Sequence, residues 1–321
     1  MPQVSIVVVT YNANTEKLCR TLHAAAMQKD VDFEIIIADD GSTQKDFSFV
    51  KDFLQARGVT AFRIVENPYN QGTVKNCISG IRSSTGEYIF LTSPGDLLYD
   101  EYVLRDFYHF AKKHHAHMCF GNPVHYSADA SGVRLTKQEC VPADPKLYSP
   151  DASLLQEQVS FLSNFWPVGA TFFRQREFAL KYLETVAEQV VYLEDNSSTA
   201  FALADGHKLY YYDRNIVWYE DGSGISTSSS DKWTRLLAKD AKNFILKLKQ
   251  THPRSSFADV LFCNYLETNR FRRIVHKLLQ HPLILFYASS IKKTIKPQEV
   301  CCSETDLEYL QYLHTHTTQG N

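Results

Sequence analysis

The sequence has little of what marks a nucleic-acid-binding or a secreted protein. Its 321 residues include 34 Lys and Arg against 36 Asp and Glu, so the formal net charge is only -2. A protein that binds nucleic acid mainly through phosphates usually carries a basic excess. The seven cysteines form an odd set without C-x-x-C spacing, which is typical of reduced thiols in a cytoplasmic protein. We therefore expect no disulfide framework, no zinc site and no nucleic-acid partner.

Long hydrophobic runs are scarce as well. No stretch reaches the roughly 18 apolar residues that a membrane-spanning helix needs. The opening residues, MPQVSIVVVTYN, have no basic region before their short apolar run and no small-residue cleavage site, so they favour a strand over a signal peptide. We predict a cytoplasmic protein that is soluble or peripheral on the inner face of the membrane.

Two common phosphate-binding motifs are missing. No strand is followed by G-x-x-x-x-G-K-[ST] or by G-x-G-x-x-G, so the sequence supports neither a P-loop nucleotidase nor a dinucleotide-dependent dehydrogenase. The absence of a Gly-rich loop beside the first strand also argues against a nucleotidyltransferase. The negative charge of nucleotide phosphates must then be balanced by other groups, such as a lysine or a carboxylate-bound divalent cation.

The first hundred residues instead show an alternation of β-branched apolar runs and longer amphipathic stretches. This pattern predicts βαβ units, and hence an α/β fold with a mostly parallel central sheet flanked by helices. Later strands are expected at residues 118–120, 167–174 and 208–218, and residues 127–153 are expected to form a long surface excursion. The predicted strands of the first half are 4–9, 33–38, 61–66 and 88–92, with helices at 15–28, 46–58, 72–84 and 100–115.

The character of the chain changes after residue 230. A Gly- and Ser-rich run, GSGISTSSS at 222–230, precedes a helical and basic stretch. We therefore divide the chain into a catalytic domain, residues 1–230, and a helical C-terminal appendage, residues 231–321. Within the appendage, residues 270–296 carry seven Arg or Lys and no acid among apolar residues. Such a segment suits an anionic membrane surface, but packing against the catalytic domain or a homodimer interface is an alternative use.

Polar clusters follow the first four predicted strands: TYN at 10–12, DDGS at 39–42, residues 67–75, and Asp96. The carboxyl ends of parallel strands share one edge of a sheet, where ligands of open α/β sheets gather. Carboxylates there accept hydrogen bonds from a base and a ribose, while Lys75 and the backbone near Gly72 suit a phosphate. The sequence therefore predicts a nucleotide site. Asp39, Asp40 and Asp96 also form turns well, so a purely local role stays open for each.

In order and spacing, four of these segments resemble family 2 glycosyltransferases, among them bacterial enzymes of polysaccharide assembly. The segments are VSIVVVTYN at 4–12, IIIADDGST at 35–43, NQGTVKNCISGI at 70–81 and GEYIFLTSPGDLL at 86–98. A fifth, Leu193-Glu194-Asp195, resembles the family's Glu-Asp pair. The resemblance implies the GT-A fold, an inverting sugar transfer, and a divalent metal, Mn²⁺ or Mg²⁺, that bridges the diphosphate of the donor.

The resemblance also implies roles for single residues. Asp195 is the implied catalytic base, with Glu194 beside it, and Asp96 is the implied metal ligand. The implied nucleotide-binding residues are Thr10, Tyr11, Asn12, Asp39, Asp40, Asn70, Gly72, Lys75, Asn76 and Ser93. Inversion needs a base on the face opposite the departing nucleotide diphosphate, and a carboxylate suffices. The Glu-Asp pair also fits an acidic first turn of a helix, which stabilises locally.

The sequence departs from the family's pattern in two places. The metal motif usually has an Asp-x-Asp core, whereas this chain reads Ser-Pro-Gly-Asp at 93–96 and keeps one carboxylate. Behind the predicted base, the family often has a basic residue before a Ser-containing loop, whereas this chain reads WYEDGSGIS at 218–226. Glu220 or Asp221 is therefore a further candidate for contact with the metal or with acceptor hydroxyls.

Aromatic rings pack against the apolar faces of sugars. In FWPVGA at 165–170, Trp166 is a candidate platform for the acceptor, bordered by Gly169, although a core role for the tryptophan is an equal alternative. We predict an inverting, metal-dependent glycosyltransferase that moves a sugar from a nucleotide-diphosphate sugar, UDP by default, to a glycan or lipid-linked acceptor. The alternative is a nucleotide-sugar-binding or scaffolding protein that kept the fold and lost the chemistry.

Overall fold

The computed structural model describes residues 1–129, 132–152, 167–222, 230–280 and 297–317. This part of the chain forms nine strands and ten helices. The strands are β1 (Val4–Thr10), β2 (Phe33–Asp39), β3 (Phe62–Glu66), β4 (Tyr88–Thr92), β5 (Leu97–Leu98), β6 (Met118–Asp129), β7 (Gly132–Leu135), β8 (Phe172–Gln175) and β9 (Tyr210–Glu220). The helices are α1 (Thr15–Ala26), α2 (Phe47–Ala56), α3 (Thr73–Arg82), α4 (Val103–Lys113), α5 (Arg176–Val186), α6 (Glu194–Ala204), α7 (Asp231–Thr251), α8 (Ser256–Tyr265), α9 (Arg270–Gln280) and α10 (Glu304–Thr315).

The strands form one mixed sheet in the order β3-β2-β1-β4-β8-β6-β9-β5, with β7 paired to β6. The pairs β2–β3, β1–β2 and β1–β4 are parallel. Strand β8 is antiparallel to both of its neighbours, β4 and β6, and β6 is parallel to β9. The carboxyl ends of β1, β2, β4, β6 and β9 therefore lie along one edge of the sheet. The predicted α/β fold is confirmed.

Two layers of helices cover the sheet, because β1 and β2 are apolar runs that are buried on both faces. Alternate residues of a strand point to opposite faces. Ile6 packs into one layer with apolar residues of α1, α2, α4 and α10. Val7 packs into the other layer with residues of α3, α5, α6, α7 and α8. The two cores hold the polar ends of the strands at the uncovered edge between the layers.

The elements up to α4 match the sequence-based predictions closely, whereas three predictions for the chain after α4 are wrong. Strand β6 does not end at Phe120 but continues to Asp129 through an irregular register around Asn122. The chain returns as β7, so part of the expected surface excursion belongs to the sheet. Gly169–Thr171 is a 3₁₀ turn, so β8 begins only at Phe172. Pro123 hides the long strand from pattern analysis, because a proline within a strand is confined to edges and irregular positions.

The C-terminal helices bury apolar residues against both layers. Phe244, Ile245 and Leu248 of α7 lie in the core that contains α3, α5 and α6. Leu310 and Leu313 of α10 lie in the opposite core. The sheet and these helices are therefore held together by shared apolar contacts. Among the described helices, none has the length and apolar character needed to cross a bilayer.

Candidate active site

Asp40 follows β2, is buried, and accepts hydrogen bonds from the loop that leads to α3. Its Oδ2 accepts from the backbone nitrogen of Gly72 at 2.8 Å. Its Oδ1 accepts from the backbone nitrogen of Gln71 at 2.9 Å and from Nδ2 of Asn67 at 3.1 Å. Three donors occupy much of the accepting capacity of a carboxylate. In this structure Asp40 therefore fixes the loop of residues 67–72, which we call the predicted nucleotide loop.

Asp39 closes β2 and is also buried. Its carboxylate accepts from the backbone nitrogen of Ser42 at 2.9 Å and from the Ser42 hydroxyl, and lies 3.6 Å from Nζ of Lys45. From the neighbouring loop, the backbone nitrogen of Asn12 donates to Oγ of Ser42 at 2.7 Å, and Oδ1 of Asn12 accepts from the backbone nitrogen of Thr43 at 2.9 Å. The loops after β1 and β2 thus form one hydrogen-bonded unit.

The other predicted nucleotide residues of this region fall into a buried group and a surface group. Thr10 and Asn76 are buried, and both form hydrogen bonds with backbone groups of neighbouring segments. The Thr10 carbonyl accepts from the backbone nitrogen of Asp40 at 2.9 Å, and Nδ2 of Asn76 donates to the Ala38 carbonyl at 2.9 Å. The surface group consists of Tyr11, Asn70 and Lys75. Tyr11 and Asn70 are exposed, and Lys75 is partly exposed with its Nζ 3.6 Å from Oε1 of Glu188.

Gly72 joins the predicted nucleotide loop to the segment that precedes α6. Its φ of +92° is one that residues with a side chain rarely adopt. A Cβ at this position would lie 2.2 Å from Cγ1 of Val191. The backbone nitrogen of Val74 also donates to the Val191 carbonyl at 3.0 Å. Since Val191 lies three positions before Glu194, the nucleotide loop and the predicted catalytic pair are held side by side.

Glu194 and Asp195 form the first turn of α6. Oδ1 of Asp195 accepts from the backbone nitrogen of Asn196 at 2.7 Å. A Cβ on Gly169 would lie 2.9 Å from Oδ2 of Asp195, so this carboxylate oxygen borders the turn before β8. The sequence places the acceptor at this turn, but the predicted platform, Trp166, lies outside the described residues.

Sequence reasoning missed Arg174, a buried residue of β8. Its Nη2 donates to Oγ1 of Thr199 at 3.1 Å and lies 3.5 Å from the carbonyl oxygen of Asp195. The guanidinium also lies 4.2 Å from the ring centroid of Phe172, within the range of a cation–π contact. No motif contains this arginine, and a single basic residue in a short strand carries no signal of its own. The fold alone brings it to the predicted catalytic pair.

The charges around Glu194 and Asp195 are strongly coupled. Burial raises the pKa of both carboxyl groups, and repulsion from Asp195 raises the pKa of Glu194 further. The Arg174 guanidinium opposes this and lowers the pKa of both groups. Asp195 is also stabilised in its charged form by the Asn196 N–H. The two carboxyl groups therefore titrate as a pair.

Asp96 is a buried carboxylate at the end of the loop after β4. Oγ of Ser93 donates to its Oδ2 at 2.7 Å, and Oγ1 of Thr21 donates to its carbonyl at 3.0 Å. Burial, helped by the negative charge of Glu220, raises the pKa of Asp96 to about 7. Within the described ranges, no group of three or more His, Cys, Asp or Glu side chains is placed to hold a metal. A single carboxylate fits a cation whose other ligands are donor phosphates and water.

The two acids after β9 differ in their surroundings. Glu220 is buried, lies 2.8 Å from Nζ of Lys17, and is the acid whose charge acts on Asp96. The Asp221 carboxylate instead contacts Nδ1 of His125 in β6 at 2.8 Å and accepts a hydrogen bond from the Thr136 hydroxyl at 2.5 Å. Of the two acids, Glu220 is therefore the better candidate for an electrostatic effect on a cation that would bind Asp96.

Solved structures with similar folds include those of S. aureus TarS and of a mannosyltransferase. S. aureus TarS superposes with a TM-score of 0.59 at 15% identity, over 92% of this chain and 49% of TarS, so the chain spans about half the length of TarS. TarS 1-349 in complex with UDP-GlcNAc gives 0.57 at 16% identity, over 90% and 88% of the two chains. The Pyrobaculum calidifontis mannosyltransferase PcManGT, in complex with GDP-Man and Mn²⁺, gives 0.54 at 15% identity, over 96% and 78%. These likenesses establish the fold alone. No curated protein sequence matches the chain.

The sequence profile of glycosyl transferase family 2 matches residues 5–183, more than half of the chain. The matched region contains β1 to β4 with the loops that carry Asp39, Asp40 and Asp96, and it extends through Arg174. The expected fold, a GT-A type nucleotide-binding domain with C-terminal helices, is confirmed by the structural likenesses. The chain belongs to glycosyl transferase family 2.

Proposed function

We propose that this protein is an inverting glycosyltransferase that moves a sugar from a nucleotide-diphosphate sugar to a glycan or lipid-linked acceptor. The observation that carries the proposal is the packing of Gly72 against Val191, which joins the predicted nucleotide loop to the segment that carries Glu194 and Asp195. Transfer requires that the reacting carbon of the donor and a base be held in one geometry. A direct contact between the two segments supplies that geometry.

Asp195 is the proposed catalytic base. The Asn196 N–H and the Arg174 guanidinium favour its charged form, while Glu194 takes the proton that the pair holds. Asp195 accepts the proton of an acceptor hydroxyl as the hydroxyl oxygen attacks the anomeric carbon. The attack comes from the face opposite the nucleotide diphosphate, and the bond to the diphosphate breaks as the new bond forms. One displacement inverts the configuration without a covalent enzyme intermediate.

Asp96 is the proposed ligand of a divalent cation, Mn²⁺ or Mg²⁺, with Ser93 orienting the carboxylate. A pKa of about 7 means that Asp96 is largely deprotonated in mildly alkaline solution. When bound, such a cation neutralises the charge that grows on the leaving diphosphate. TarS binds UDP-GlcNAc, and PcManGT binds GDP-Man together with Mn²⁺, which supports this cofactor and donor class. UDP is the default nucleotide of the proposal.

The acceptor is proposed to enter beside Gly169, where a side chain would crowd Oδ2 of Asp195. Trp166, in the adjoining segment, is the proposed platform for an acceptor sugar. A glycan or a lipid-linked oligosaccharide of a polysaccharide assembly reaction presents the hydroxyl and the apolar sugar face that this arrangement needs.

Helix α9 is the proposed contact with an anionic membrane surface. Its apolar side chains Phe271 and Leu279 are 74% and 78% exposed, and Ile274 and Leu278 on the same helical face are exposed too. Arg272 borders this face and is exposed as well. An apolar stripe beside basic residues suits shallow insertion among anionic headgroups. The enzyme would then work at the cytoplasmic face of a membrane that carries its acceptor.

The proposed division of the chain is a catalytic domain of residues 1–230 and an appendage of residues 231–321 that brings it to the membrane. Residues 281–296 of the basic segment lie outside the described part of the chain. A homodimer through the exposed face of α9 is the competing use of the same surface, and sedimentation without lipid distinguishes the two.

The proposal is tested by calorimetric titration of UDP, GDP and dTDP into the purified protein, each with and without Mn²⁺. Binding of one nucleotide that requires Mn²⁺, and that is lost in Asp96→Ala, is the expected result. Asp100→Ala is a control, because Asp100 is a nearby exposed acid whose carboxylate accepts from the backbone nitrogen of Tyr102 at 2.7 Å. Absence of nucleotide binding under every condition would overturn the transferase proposal and favour a protein that kept only the fold.

A further inference from the structure

Asp240 lies in α7, beyond the proposed catalytic domain, yet its side chain ends at the segment that carries the catalytic pair. The residue is buried. Its Oδ2 accepts from three successive backbone nitrogens, those of Val191 at 2.9 Å, Tyr192 at 2.6 Å and Leu193 at 3.4 Å. One carboxylate oxygen thus fixes three consecutive residues immediately before α6.

Helix α6 has no side-chain cap of its own. Leu193 occupies the N-cap position and offers no acceptor to the free backbone N–H groups of the first turn. Helices usually begin with Ser, Thr, Asp or Asn at this position, and an acid near the N-terminus also interacts favourably with the helix dipole. Asp240 supplies a negative charge at this helix end from a different helix.

The position of Asp240 is itself fixed by contacts of α7 with α5 and the turn after it. Nδ2 of Asn243 donates to the Gln189 carbonyl at 3.0 Å, and Nζ of Lys247 donates to the Thr185 carbonyl at 2.7 Å. Phe244 is buried between these polar contacts. Because these contacts hold α7 within two turns of Asp240, the carboxylate acts as a rigid support.

We infer that Asp240 is a positioning residue for sugar transfer, acting through residues 191–193 to hold Asp195 and the nucleotide loop in one arrangement. The inference rests on the proposed function. Val191 is the shared point, because it packs on Gly72 on one side and precedes the catalytic pair on the other. A loss of the Asp240 carboxylate frees this segment and moves the base relative to the donor.

Donor hydrolysis with Mn²⁺, measured as release of UDP from UDP-GlcNAc or of GDP from GDP-Man, tests the inference without an identified acceptor. Asp240→Ala is expected to lower kcat by about 10²-fold, the cost of a base displaced by about 1 Å, with a smaller change in donor KM. Asp240→Asn keeps an oxygen that accepts the same N–H groups and is expected to retain most of kcat. Lys239→Ala, a change of the exposed neighbour of Asp240 on α7, is the control and is expected to leave kcat unchanged.

The pH profile separates positioning from mere folding support. Glu194 faces Asp195 on α6, Arg174 on β8, Cys77 on α3 and Asp240 on α7, and the charge of Asp240 raises the pKa of Glu194. Asp240→Asn removes that charge without removing the hydrogen bonds. Because Glu194 and Asp195 titrate as a pair, removal of this charge is expected to lower the pH at which the pair loses its first proton. The acidic limb of the kcat profile is therefore expected to move to lower pH in this variant. An unshifted limb in a folded, active Asp240→Asn protein rejects the inference.

Amide hydrogen exchange distinguishes failure of the inference from failure of the proposed function. In Asp240→Ala, the amides of Val191, Tyr192 and Leu193 are expected to exchange faster, and in Lys239→Ala they are expected to keep their wild-type rates. A wild-type protein that turns over no donor rejects the proposed function. Wild-type turnover together with unchanged kcat and unchanged exchange in Asp240→Ala rejects the role of Asp240. If Asp240→Ala does not fold, the pH profile of Asp240→Asn decides.

Discussion

The Arg174 guanidinium lies next to the main chain of Asp195, with 3.5 Å between its Nη2 and the Asp195 carbonyl oxygen. Only 3% of the arginine is exposed. A charge in such a position is poorly screened by solvent and acts strongly on its neighbours. Burial raises the pKa of Glu194 and Asp195, and this cation lowers both, so Arg174 favours the charged form of each carboxylate.

Arg174→Met removes the buried cation and keeps the bulk of the side chain. Both carboxyl groups are then expected to bind protons more tightly, so the acidic limb of the kcat profile moves to higher pH by about one unit or more, about 1.4 kcal/mol of lost charge stabilisation. Arg82→Met is the control, because Arg82 forms an exposed pair with Glu184, and exposed pairs contribute little. A wild-type profile in Arg174→Met contradicts the electrostatic role.

Asp195→Asn keeps the size of the side chain and removes the base. A general base contributes about 10² to 10⁴ in rate, so kcat is expected to fall within that range while UDP affinity stays near that of the wild type. Calorimetry and donor turnover measure the two quantities. Glu177→Gln, a change of an exposed acid on α5, is the control. Retained turnover in Asp195→Asn assigns the base elsewhere, with Glu194 next to be tested.

Gly72→Ala tests the contact between the nucleotide loop and the catalytic segment. The added Cβ meets Cγ1 of Val191 at 2.2 Å, and overpacking of this kind costs about 1–3 kcal/mol. Gly58→Ala is the matched control, because Gly58 also has a positive φ, +75°, but nothing lies within 4 Å of its added Cβ. Both variants carry the backbone strain of an L-residue, so urea unfolding and UDP titration isolate the contact. Equal losses in the two variants would contradict a role for the packing against Val191.

Metal-dependent nucleotide binding is expected to weaken as the pH falls through about 7. The pKa of Asp96 is raised to about 7 by burial and by the charge of Glu220, and a metal ligand must lose its proton before it binds. Below this pKa the affinity should fall by about tenfold per pH unit, because one proton competes with the cation. Titrations of UDP with Mn²⁺ between pH 5.5 and 8.5 measure the slope, on the order of one proton. A flat profile excludes Asp96 as the ligand.

Helix α9 is expected to bind anionic vesicles. Phe271→Ser with Leu279→Ser removes the most exposed apolar groups and should reduce co-sedimentation with phosphatidylglycerol vesicles by about tenfold or more, since each buried CH₂ contributes about 0.8 kcal/mol. Phe49→Ser is the control, because Phe49 is an exposed aromatic on α2. Sedimentation of the wild-type protein as a dimer without lipid, together with no vesicle binding, would assign the face to a partner copy.

Much of the first half could be predicted because its information is local. The runs at Val4–Thr10 and Phe33–Asp39 are continuous and β-branched, and the polar residues that follow them mark the sheet edge. Predicted roles for single residues stay predictions. The carboxylate of Asp40, for example, accepts hydrogen bonds from Asn67, Gln71 and Gly72.

Other parts of the site could not be predicted, because they depend on contacts between distant segments. Arg174 and Asp240 belong to no motif, and each acts on the catalytic pair only through the folded arrangement of β8 and α7. The long β6 was missed for a local reason, since Pro123 interrupts the periodicity of its strand.

The place of β8 between β4 and β6 has a consequence for biosynthesis. On a ribosome, β4 emerges well before residues 172–175, which later pair with it and stack Phe173 on Tyr88 with a centroid distance of 5.0 Å. Until then the nascent chain presents β4 as an open edge with Tyr88 and Phe90 along it, and such edges invite pairing between chains. Fragments that end before residue 172 are therefore expected to aggregate, even though they contain every strand of the nucleotide half.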